Sequence, residues 1–74
     1  MPKLPVLSGK EIIAVLEGIG FEQRRQKGSH VILRKGDKTT IVPLHREVDR
    51  GTLIEIIRQS GLKREEFIQL MYKK

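Results

Sequence analysis

Residues 21–45 read FEQRRQKGSHVILRKGDKTTIVPLH, and this stretch decides the fold. Gly28-Ser29 is a two-residue turn candidate, because glycine is free to take the positive φ that a tight hairpin requires. Beyond it, Val31, Ile32 and Leu33 form a short apolar run with two β-branched members, which predicts a strand from His30 to Arg34. Lys35-Gly36-Asp37-Lys38 supplies a second turn, and Thr39, Thr40, Ile41 and Val42 the strand after it. Pro43 ends that strand, since proline cannot donate to a ladder. Before the first turn, Phe21 to Lys27 is polar but rich in long Arg and Gln side chains, and reads as a solvated strand. The stretch therefore predicts a three-stranded antiparallel meander.

Helical spacing flanks it on both sides. Ser8-Gly9-Lys10-Glu11 has the form of a capping box, in which hydroxyl and carboxylate satisfy each other's backbone amides. Ile12, Ile13, Leu16 and Ile19 then recur on one face, predicting a helix from Gly9 to Ile19 that Gly20 stops. Ahead of it, Pro2 and Pro5 favour an extended start. After Pro43, a connection from Leu44 to Val48 carries His45. A second helix begins near Asp49 or Thr52; either residue can cap, and Thr52 with Glu55 fits another capping box. Leu53, Ile54, Ile56 and Ile57 are its expected buried face, and Gly61 its end. Lys63 to Tyr72 reads as a shorter helix with Phe67, Ile68, Leu70 and Met71 as apolar positions. The order is α-β-β-β-α with a short C-terminal helix, an α+β arrangement with helices on one face of the sheet and the other face open.

Seventy-four residues without a cysteine predict one domain over residues 1–74, of modest stability, held by a small apolar core with no disulfide. That composition suits a reducing compartment. The longest apolar run, Ile12 to Leu16, is far short of the roughly 20 residues that span a bilayer. Met1 to Lys10 holds no apolar signal region. The expectation is a soluble cytoplasmic protein with no membrane association.

The formal charge is +6, with a pI near 10.1. Between Glu22 and Lys38 lie six basic residues, Arg24, Arg25, Lys27, Arg34, Lys35 and Lys38, against the two acids Glu22 and Asp37. A basic stripe of this kind is the footprint of a polyanion binder, although a solvated face that keeps a protein soluble has the same composition. With Ser29 added, these residues are the candidate contacts for a polyanion such as a nucleic acid.

Few residues can carry chemistry. His30 and His45 lack the short spacing of a structural metal site, and no glycine-rich phosphate loop precedes a helix, so neither a metal nor a small-molecule cofactor is expected. His30 is the sharper candidate, following a tight turn among Arg24, Arg25, Lys27 and Ser29. An imidazole titrates near neutral pH, so it can take a proton from a ribose 2′-hydroxyl or give one to a leaving 5′-oxygen. Neighbouring cations would hold the phosphate. The plainer reading of His30 is an ordinary strand-edge histidine. His45 is a secondary candidate; it would equally serve to cap a carbonyl or brace the strand end. Phe21 and Phe67 read as core, and Tyr72 is too isolated for a base-stacking platform.

Four separated motifs, Gly28-Ser29-His30, Val42-Pro43-Leu44-His45, Gly51-Thr52-Leu53 and Gln59-Ser60-Gly61-Leu62, together resemble the HicA (YcfA-like) family, over about Ser8 to Leu70. The resemblance implies a double-stranded-RNA-binding-domain-like fold. It also implies a toxin of a type II toxin–antitoxin pair that acts as a metal-independent mRNA interferase. By the same resemblance His30 is the residue needed for activity, mRNA the substrate, and a HicB-like antitoxin the partner that blocks the site. The competing reading is a non-catalytic RNA-binding module, for which a basic stripe suffices.

Overall fold

A computed structural model describes residues 4–72. Helix α1 (Gly9–Gly18) precedes strands β1 (Glu22–Lys27), β2 (His30–Lys35) and β3 (Lys38–Pro43), which are followed by α2 (Arg50–Gln59) and α3 (Arg64–Tyr72). The sheet is antiparallel in the order β1-β2-β3, as the meander requires. Both of its turns are two residues long and open with glycine in the left-handed region, Gly28 at φ 57° and Gly36 at φ 62°. Neither Ser29 nor Asp37 shares that conformation, so both turns follow the type II′ pattern, whose twist matches the strands it joins. Pro2, one of the two prolines expected to extend the start, lies outside the described residues; farther on, Leu7 bridges to Val48.

The two faces of the sheet differ because alternate side chains point opposite ways. Val31 and Leu33 of β2, with Thr40 and Val42 of β3, are buried beneath the helices. Helices α1 and α2 pack on β3, and α3 packs across both helices, with Phe67 fully buried. Ile12, Leu16, Leu53 and Ile56 complete that core. Truncating a residue such as Leu33 to alanine here would cost about 2–5 kcal/mol, because the site cannot fully collapse. The buried Thr40 hydroxyl is satisfied by donating to Gln59 Oε1 at 2.8 Å. Strand β1, at the edge of the sheet, is exposed along its whole length, which explains why its sequence carries no apolar alternation.

Local expectations fare unevenly at the helix ends. The Ser8–Glu11 capping box is present, with Glu11 N donating to Ser8 Oγ at 3.1 Å and Ser8 N to Glu11 Oε1 at 2.9 Å. Helix α1 ends one residue before the expected boundary, with Ile19 as its cap, and Gly20 takes φ 104°. For α2 the cap is Asp49 and not Thr52; Thr52 is the third helical residue and donates to Asp49 through both its amide and its hydroxyl. A carboxylate one turn earlier outcompetes the threonine hydroxyl for the same role. Ile54, expected in the core, is 39% exposed, since helical spacing turns it away from the Leu53–Ile56–Ile57 face. Among the described residues, no helix is long and apolar enough to cross a membrane.

Candidate active site

The helix-free face of the sheet is where the chemistry-bearing residues gather. On β2 that face carries His30, Ile32 and Arg34, which alternate with the buried Val31 and Leu33. Residues directly opposite one another in an antiparallel pair share a face. Lys27 lies opposite His30, Arg25 opposite Ile32 and Glu22 opposite Arg34, so all three belong to the open face. The register shifts between Gln23 and Arg25, leaving Arg24 as an inserted residue. Arg24 lines a shallow groove with Ile32, Arg34 and Thr39. The bulge thus turns two consecutive arginines to one side, where strict alternation would have opposed them. The ion pair of Arg24 with Glu22 at 3.3 Å is well exposed on both sides and offsets little of this charge.

His30 and His45, fifteen positions apart in the chain, meet at one end of this face, their ring centroids 6.5 Å apart and inclined at 68°. Both side chains are exposed. The register explains the meeting. His30 is opposite Pro43, and the chain runs on alongside the first turn, with Leu44 N donating to the Ser29 carbonyl at 2.6 Å. The His45 carbonyl then accepts from Gly9 N at 2.9 Å, satisfying one of the amides that a helix N-terminus leaves free. His45 thus braces the strand end as one sequence reading had it, but with its backbone, leaving the imidazole uncommitted. Asp49 follows closely; its carboxyl is held below the usual aspartate value mainly by the Thr52 hydroxyl and amide, with a small effect from the charge on His45.

Not every candidate is brought together. The Lys35 side chain lies over Gly20 and that of Lys38 over Gly61, towards the helix layer. Those two residues pair at the far end of β2 and β3, on the other face from His30. Arg34 shares the face of His30 but is about 13 Å away at 3.3 Å per strand residue, with its Nε donating to the Gly36 carbonyl at 2.8 Å. On the open face Lys27 lies directly across from His30, and Arg25 two residues back along the same strand. Among the described residues, no three His, Cys, Asp or Glu side chains cluster as metal ligands would.

A helix-backed three-stranded sheet with an open basic face, ending in two exposed imidazoles, defines a small α+β class suited to handling a polyanion. The sequence matches the family described as HicA toxin of bacterial toxin-antitoxin over residues 9–62, more than half the chain, and the protein belongs to that family. The matched span runs from the first residue of α1 to just beyond α2 and contains the whole sheet and both histidines. A toxin of such a pair implies an antitoxin partner. No curated protein matches the chain.

Proposed function

We propose that this toxin is an endoribonuclease that cleaves mRNA, with His30 as a proton-transfer group, and that a HicB-like antitoxin silences it by covering the same face. The observation that carries the reading is the place of His30, exposed at the start of β2 on the open face beside Lys27 and Arg25. A phosphodiester held there by the cations brings a ribose 2′-hydroxyl within reach of the His30 imidazole, a side chain that can serve as general base or acid. The 2′-oxygen attacks phosphorus, the bond to O5′ breaks, and the products are a 2′,3′-cyclic phosphate and a 5′-hydroxyl. Arg24, Arg25 and Lys27 stabilise the charge that builds on the non-bridging oxygens, and work best when water is displaced by the bound strand. Ser29 contributes through the carbonyl that holds the Leu44 segment in place.

The antitoxin follows from the same surface. Ile41, 48% exposed, lies opposite Ile32 on the open face. This pair offers an apolar anchor inside a basic frame, which an acidic partner would complement.

The test is incubation of end-labelled RNA with the purified protein in the presence of a chelator. Fragments ending in cyclic phosphate are expected. Stable binding with no fragments would instead favour a module that holds RNA without cutting it.

A further inference from the structure

We infer that His45 is the second proton-transfer group of the reaction, paired with His30 across a single phosphodiester; this rests on the endoribonuclease reading. In-line displacement needs a base at the attacking 2′-oxygen and an acid at the leaving 5′-oxygen, on opposite sides of phosphorus. One imidazole on an exposed face serves only one of those oxygens at a time. Two rings whose centroids are 6.5 Å apart are close enough to straddle one phosphodiester lying over them, each offering a nitrogen to a different bridging oxygen at the roughly 2.6–3.2 Å that proton transfer requires.

The pair is built and not accidental in its placing. His30 is fixed by strand pairing on both sides, to Lys27 and to Pro43. His45 is fixed by the two backbone bonds that flank it, Leu44 N to Ser29 O and Gly9 N to His45 O. Such anchoring on regular elements keeps reacting groups within the narrow tolerance that catalysis demands. Both imidazoles remain exposed, whereas a histidine retained for packing would be covered.

In the step itself, one neutral imidazole accepts the 2′-hydroxyl proton as the O2′–P bond forms. The other, protonated, gives its proton to O5′ as the P–O5′ bond breaks. The pair ends with its protonation exchanged and is restored through solvent.

The test compares the wild type, His30→Ala and His45→Ala on two versions of one RNA, the second carrying sulfur in place of the scissile O5′. A thiolate leaves without needing a proton. Both variants should cut ordinary RNA about 10²–10⁴-fold more slowly, and only one of them should regain a near wild-type rate on the sulfur substrate. Melting curves and RNA affinity serve as folding controls, and His45→Gln replaces the alanine variant if that one does not fold. A folded His45 variant that cuts ordinary RNA at the wild-type rate overturns the pairing. So does an equal deficit of both variants on both substrates, or rescue of both. A wild-type protein that cuts neither RNA would instead overturn the endoribonuclease reading itself.

Discussion

Gly9 and Pro43 approach so closely that a Cβ on Gly9 would stand 2.0 Å from the Pro43 carbonyl oxygen. The first turn of α1 is thereby packed against the end of β3, and the same contact carries the Gly9 N to His45 O bond. Gly9→Ala forces backbone atoms apart, and overpacking of this kind costs about 1–3 kcal/mol. A lowered melting temperature is expected, with loss of cleavage in the fraction that remains folded, because the displaced segment carries His45. An unchanged melt would show that the close approach relaxes at no cost.

The open face and the helix-side lysines should separate in their salt dependence. Neutralising residues that touch phosphates reduces the slope of log affinity against log salt by about one per contact. Arg24→Ala and Arg25→Ala should each flatten the slope for RNA of any sequence. Lys35→Ala and Lys38→Ala, whose side chains lie over Gly20 and Gly61, should leave it unchanged. Equal effects from all four would mean that RNA wraps around the turn at Gly36.

Asp49 makes the N-terminus of α2 sensitive to acid. Its carboxyl titrates below the ordinary value of 3.8, chiefly through its hydrogen bonds with Thr52. A depressed folded value contributes stability that is present above the ordinary value and is lost as pH falls through the folded one. Asp49→Ala should therefore melt below the wild type near neutral pH, and the gap should close on acidification well below 3.8. A gap independent of pH would assign the loss to the alanine and not to the charge.

Much of this was legible from a few residues. The glycines at 28 and 36 defined both turns and hence the meander, and Ser8 with Glu11 marked the start of α1. The choice between Asp49 and Thr52 was not legible, because both are competent caps and only the path of the chain decides. Nor was the grouping of Arg24 with Arg25, since a bulge leaves no mark in a polar strand. The meeting of His30 with His45 was within reach. A two-residue turn at Gly36-Asp37 pairs Lys35 with Lys38, and counting back along both strands pairs His30 with Pro43, two residues short of His45. Separation in sequence hides the meeting of the two histidines, whereas the register implies it.

If the antitoxin covers the open face, RNA and antitoxin compete. Titrating the partner into an RNA complex of the His30→Ala protein should release the RNA. Antitoxin binding should also raise the melting temperature, as expected of a ligand that binds only the folded state. A ternary complex at saturation would place inhibition at another surface.

The most direct measurement is the single-turnover cleavage rate of His30→Ala at saturating protein. The imidazole is exposed and makes no part of the buried core, so the variant should fold and bind RNA as the wild type does. Its cleavage rate should fall about 10²–10⁴-fold. A folded, RNA-binding His30→Ala protein that cuts at the wild-type rate would contradict the account.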